Sequence, residues 1–150
     1  MEYNLHRDFN ASFAIDFKRY TTTPDLQDAV DRYITSQGNQ AGLQNLAEIL
    51  YNMAFNYTPS IAHDLMPQII GIVKHNGSQA GMQGVKPVLK AIFEEGLEGE
   101  ALEQALDLLD KMVEQNDSQT GLPILVEVDG EMESYTFGKF LKDAINVLDA

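Results

Sequence analysis

Histidine is the side chain best placed for proton transfer or metal binding near neutral pH, and the chain has three: His6, His63 and His75. None stands in a His-Glu-x-x-His pattern, and with no cysteine in the chain a zinc site would have to be assembled from distant residues. His63 and Asp64 are adjacent, and neighbours on a helix diverge by about 100°, which keeps such a pair from acting as one acid–base couple. His75 falls near a predicted helix end, where the dipole favours an imidazolium. The carboxylates available for acid–base work are Glu94 and Glu95, Asp107 and Asp110, and the group Glu127, Glu131 and Glu133. A catalytic pair needs one member desolvated and shifted in pKa, whereas these acids stand on predicted polar faces or in a predicted hairpin. No dinucleotide or phosphate loop, nucleophile elbow or twelve-residue calcium loop is present. The expectation is a protein without catalytic residues, metal or cofactor, and so not an enzyme.

What does stand out is a row of acids. Glu100, Glu103, Asp107, Asp110 and Glu114 recur every three or four residues and make one ladder along a helix. Like charges at i,i+4, such as Glu103/Asp107 and Asp110/Glu114, destabilise an isolated helix by about 0.2–0.5 kcal/mol per pair. The whole chain of 150 residues carries a net charge of −13. Of its 23 acids and 10 bases, 13 acids and only one base, Lys111, lie between Glu94 and Glu133, so that stretch holds −12 and the remainder is nearly neutral. Such a balance repels phosphate backbones and anionic membranes and points to a basic protein partner, with no nucleic acid and no membrane among the expected partners.

The elements that position the ladder follow from punctuation and periodicity. Gly38-Asn39-Gln40-Ala41-Gly42-Leu43-Gln44 recurs as Gly77-Ser78-Gln79-Ala80-Gly81-Met82-Gln83 and, more loosely, as Asp117-Ser118-Gln119-Thr120-Gly121-Leu122-Pro123. Glycine suits the residue just past a helix, and Asn39, Ser78 and Ser118 suit the cap of the next. Thr23-Pro24 and Thr58-Pro59 supply two more starts, with threonine as the cap. Helical spacing then predicts helices over about 24–37, 40–56, 59–76, 79–95 and 97–116. Leu46, Ile49, Leu50, Met53 and Ala54 align with Val85, Val88, Leu89, Ile92 and Phe93 at a shift of 39 residues. Pro67 and Pro87 lie inside two of these segments, where kinks or restarts are expected. The period changes after Pro123: Ile124 to Thr136 reads as a hairpin turning at Asp129-Gly130, followed by a helix with Phe137, Phe140, Leu141, Ala144, Ile145 and Leu148 on one face. For residues 5–20 the four-residue spacing of Leu5, Phe9, Phe13 and Phe17 favours a helix over the strand that Phe13, Ile15 and Phe17 would make.

The fold expected is a single mainly α domain over 1–150: antiparallel helix-pair repeats of 39–40 residues over 24–122, then a β-hairpin and a final helix over 123–150. Period and content resemble the helix-pair repeats of the HEAT or armadillo kind, whose units run to about 40–47 residues; no diagnostic motif of either accompanies them. A closed helical bundle that arose by duplication is the other architecture this pattern allows. No basic region followed by an apolar stretch opens the chain and no run long enough to span a bilayer occurs, which suggests the cytoplasm. The functional expectation is a protein–protein interaction module whose binding residues are Glu100, Glu103, Asp107, Asp110, Glu114, Glu127, Glu131 and Glu133. Two alternatives share its charge logic or its architecture. One is an immunity-type inhibitor covering a basic, nuclease-like cleft; the other is a structural subunit of an assembly or homo-oligomer.

Overall fold

The computed structural model describes residues 17–36, 40–74, 78–115, 124–128 and 130–150. Among them are six helices, α1 (Thr23–Ser36), α2 (Gln40–Tyr57), α3 (Pro59–Lys74), α4 (Ser78–Gly96), α5 (Gly99–Gln115) and α6 (Phe137–Asp149), with strands β1 (Ile124–Val128) and β2 (Glu131–Tyr135) between the last two helices. The chain is thus mainly helical with one small antiparallel hairpin and a final helix. Of the three repeated segments, the first two continue into the first turns of α2 and α4, while Gly38, Asn39, Gly77 and the third copy, Asp117 to Pro123, lie outside the described residues.

Each of the first five helices packs against the next, α2 also meets α4, and β1 lies on α5. The aligned stripes of α2 and α4 are buried at all ten positions, from Leu46 to Ala54 and from Val85 to Phe93. Alternation of such faces with exposed residues is what turns a row of amphipathic helices into one core, and a single cluster of buried side chains runs through all six helices and both strands. Both prolines lie inside unbroken helices, α3 and α4. Each is exposed, so water can take the carbonyl that a missing N–H leaves unbonded, and no restart is needed.

The capping residues differ from expectation at two places. Thr22, rather than Thr23, caps α1: its hydroxyl accepts from the Asp25 N–H at 3.2 Å and its carbonyl from Leu26 at 3.0 Å. Buried Thr58 turns its hydroxyl back to the Ala54 carbonyl (3.1 Å), so its side chain closes the end of α2 instead of opening α3. At the hairpin, Val128 pairs with Glu131, and Gly130 takes a φ of +83° that suits glycine in a two-residue turn.

Residues 17–20 are not helical. Here the expectation of a helix over 5–20 is corrected where the chain is described; residues 5–16 lie outside the described residues. The reason is that α2 satisfies this backbone from outside. Asn52 Oδ1 accepts from the Tyr20 N–H at 2.7 Å and its amide donates to the Lys18 carbonyl at 2.8 Å. A backbone so satisfied has no need of its own helical ladder.

The last helix closes the fold. α6 packs on α1, α2 and α5, capped by Thr136, whose side chain accepts from the Lys139 N–H. Phe137, Phe140, Leu141 and Ile145 are buried, and Phe140 meets Phe93 edge to face with ring centres 5.9 Å apart. Gln27 to Asn146 (2.6 Å) and Lys142 to Asp31 (3.0 Å) tie α6 to α1 at the surface. Contact is closest at Gly138, where a Cβ would stand 2.3 Å from Ile34 Cγ1. Gly138→Ala is therefore expected to destabilise the chain by about 1–3 kcal/mol, the range for overpacking, and the loss is expected to shrink when Ile34→Ala makes room. Urea unfolding of the double-mutant cycle checks this; additive losses would show that the two side chains do not meet.

Candidate functional site

Each of the eight predicted binding residues is exposed. The five ladder acids do share the outer face of α5, roughly opposite the stripe Leu102, Ala105, Leu106, Leu109 and Met112 that meets the core. The ladder has some compensation. Asp107 pairs with Lys111 at 2.9 Å and Asp110 with Lys86 of α4 at 3.0 Å, and Glu100 accepts from the Gln104 amide at 3.2 Å. Glu103 and Glu114 have no partner among the described residues. Both ion pairs are solvent-exposed, a setting in which such pairs are worth about 0–1 kcal/mol. The two lysines offset part of the charge of Asp107 and Asp110 and leave Glu100, Glu103 and Glu114 without a cationic partner among the described residues.

The hairpin acids are divided between two faces. The register places Val126 opposite Glu133, with Glu131 and Tyr135 two residues to either side of Glu133, so these four share one side. Glu127 lies opposite Met132 on the other side, with Leu125 and Ser134. Side chains alternate along a strand, which is why three acids close in sequence do not form one cluster. The Glu127 side also presents Leu125 and Met132, each 61% exposed.

A groove absent from the sequence reading lies beside the ladder. Leu97 and Ala101, Gln104, Ala105 and Leu108 of α5 face Phe140, Ala144 and Val147 of α6, with Tyr135 and Asp143 completing a largely apolar cavity of about 210 Å³. Val147 at its margin is 46% exposed. Gln104 belongs to both features, since it lines the groove and holds Glu100. The centres of the groove lining and of the ladder sit a little over a third of a turn apart around α5, given about 100° per residue, with Gln104 and Glu100 the residues that meet between them. Asp143 adds a carboxylate on the α6 side. Sequence periodicity offers no pointer to the groove, because its walls come from segments some forty residues apart.

Tyr135 sets the groove's inner end. It is buried, its ring meets Phe140 at 6.5 Å between centres, and its hydroxyl donates to Asp143 Oδ2. Burial and then the Asp143 carboxylate raise its pKa above the ordinary 10.0. A raised folded pKa means that the stabilisation is complete below the unfolded value and is lost as pH rises through the folded one.

Other sites offer less. A more polar cavity of about 300 Å³ is bounded by Thr21, Thr23, Asn56, Tyr57, Leu148 and Asp149. Its Tyr57 hydroxyl is engaged with Thr23 Oγ1 at 2.9 Å, and Asp149 is the one carboxylate in its lining. Among the described residues no group of three or more His, Cys, Asp or Glu could hold a metal ion, and no helix is long and apolar enough to cross a membrane. His63 is on the exposed side of α3; His6 and His75 lie outside the described residues.

Two outcomes follow. The difference in unfolding free energy between the wild type and Tyr135→Phe should stay constant up to about pH 10 and shrink above it; a difference that stays level to about pH 12 would contradict the role given to the hydroxyl. Along the ladder the helix dipole acts oppositely at the two ends, because Glu100 lies in the first turn of α5 while the last turn has no base. Glu114→Gln should raise stability by about 0.3–1 kcal/mol at low salt and Glu100→Gln should lower it, as read by urea titration with and without added salt. No protein-family model, no curated protein and no solved structure matches this chain.

Proposed function

We propose that this chain is a non-enzymatic protein–protein interaction module that uses the acidic face of α5 to engage a basic protein surface. The observation that carries the reading is the adjacency of the acid ladder to an apolar groove, joined through Gln104 and Glu100. Charge alone gives a fast and weakly selective encounter, whereas burial of an apolar anchor in a pocket holds the complex. The partner that fits is a basic segment with one apolar side chain, cations along Glu100, Glu103, Asp107, Asp110 and Glu114 and the anchor between α5 and α6. Glu131 and Glu133 belong to the core-facing side of the hairpin, and Glu127 with Leu125 and Met132 forms a separate outward edge.

The scaffold reading is that α2–α3 and α4–α5 are two copies of one helix pair. Support comes from the ten buried positions that align at a shift of 39 residues and from the contact of α2 with α4. With α6 packed on both α1 and α5, a duplicated closed bundle fits better than an open HEAT-like superhelix.

A synthetic amphipathic helix with lysines on one face and leucines on the other serves as the probe. Reversal of Glu103, Asp107 and Asp110 to lysine together should slow its association at low salt by about ten-fold or more. Val147→Asp, which places a charge at the groove margin, should speed dissociation with little change in the association rate. Stopped-flow anisotropy separates the two rates. Binding indifferent to both changes would contradict the proposal.

A further inference from the structure

Asn52 is the most fully used polar side chain in the core. It is completely buried, and its amide group makes all four bonds it is able to make: Oδ1 accepts from the Tyr20 N–H (2.7 Å) and from Arg19 Nη1 (2.8 Å), and Nδ2 donates to the Lys18 carbonyl (2.8 Å) and the Glu48 carbonyl (2.9 Å). Glu48 and Asn56, four residues before and after it, extend the same row. Glu48 Oε2 accepts from the Lys18 N–H at 3.0 Å, and Asn56 Nδ2 donates to the Tyr20 carbonyl at 2.7 Å. Three side chains of one helix therefore satisfy both backbone groups of two alternate residues in an extended strap.

The fit has a geometric cause. Four residues of helix rise about 6.0 Å, while two residues of extended chain rise about 6.6 Å. A polar residue every fourth position on a helix thus keeps pace with every second residue of a strand laid parallel to it. The bonds to the main chain ask only for extended backbone, and selection comes from the side chains. Phe17 packs on Tyr51 with ring centres 5.2 Å apart. Arg19 bonds Asn52 and Asn56 Oδ1, both at 2.8 Å, and lies over the Phe55 ring. Tyr20 donates to Glu48 Oε1 and accepts from Arg32, whose guanidinium stands over its ring.

We propose that the row Glu48, Asn52 and Asn56 on α2 is a recognition site for an extended segment of the pattern aromatic–Lys–Arg–Tyr from a partner protein, which residues 17–20 fill in cis. The occupant's chemistry is read from the segment seated there. The strap buries Phe17 and Tyr20, but three of the four Asn52 hydrogen bonds go to the chain that lies across it, to the Tyr20 N–H, the Arg19 guanidinium and the Lys18 carbonyl, and would be left open by its departure. The strap carries no helix or sheet bonds of its own and joins α1 through the exposed Thr21 and Thr22, so it can release without unfolding the helix beneath it. A competing segment must overcome an effective concentration of about millimolar order, typical of a short tether. This site is distinct from the acidic face of α5 and does not depend on it.

The test uses the full chain and a labelled peptide copying residues 17–22. At about millimolar peptide the Tyr20 amide of the wild type should exchange with deuterium at least ten-fold faster, while the amides of Leu50 and Met53 in α2 keep their protection. A peptide with glutamate at the arginine position should have no such effect. Phe17→Ala combined with Tyr20→Ala, which weakens the strap and leaves α2 untouched, should bind the peptide at least ten-fold more tightly than the wild type. Asn52→Leu introduced into that variant should abolish the binding. A Tyr20 amide that exchanges only together with the α2 core, peptide present or not, would overturn the proposal, as would a failure of the weakened-strap variant to bind more tightly.

Discussion

The return of α6 onto α1 is the constraint on which the other features depend. An amphipathic last helix buries Phe137, Phe140, Leu141 and Ile145, each worth about 1.5–3 kcal/mol when removed from water. The approach is possible because Gly138 leaves room for Ile34 and Gly96 leaves room for Leu148 and Thr58. With α6 seated, α5 gains a neighbour along one side, the hairpin is held by Tyr135 against Phe140 and Asp143, and the groove between α5 and α6 comes into being. A two-stranded hairpin is marginal by itself in water; here Val126 and Tyr135 give it a place in the core.

Electrostatics divides the molecule differently from sequence. The acid-rich stretch from Glu94 to Glu133 reads as one block, but the fold separates it into the α5 ladder, the core-facing side of the hairpin and its outward edge. Among the described residues the ladder keeps five acids on one surface. It does so against local stability: Glu103 and Asp107, and Asp110 and Glu114, repel at i,i+4, and Glu114 sits at the unfavourable end of the dipole. In the proposed function the neighbouring groove gives that arrangement a use: an attractive field would steer a cation-rich segment toward a place where an apolar side chain can be buried.

Much of the helical framework was legible because its signals are local. The stripes at helical spacing placed five helices within a few residues of α1 to α5, and Asp129-Gly130 between two alternating runs marked the hairpin and its register. What escaped depends on contacts between segments distant in the chain. Thr22 and Thr23 look alike as caps until α1 is seen to begin at Thr23, and Thr58 bonds backwards because it is buried. Phe9, Phe13 and Phe17 have helical spacing, yet just after Phe17 the side chains of α2 bond the backbone of Lys18 and Tyr20 in place of a helical ladder. A signal for this was present: Glu48, Asn52 and Asn56 put one polar row on a helix whose flanking positions Tyr51, Met53 and Ala54 are all buried. Val147 gave no comparable sign, since an exposed aliphatic at a helix end is ordinary until its facing wall is known.

The central claim is that binding couples the acid ladder to the α5–α6 groove. The most direct measurement is an amide and methyl NMR map of the full chain titrated with a lysine- and leucine-bearing amphipathic peptide. Concerted shifts are expected at Ala101, Gln104, Leu108, Ala144 and Val147 together with the ladder amides, all saturating at one affinity. Shifts confined to exposed carboxylate positions, with the groove methyl groups unmoved, would contradict it.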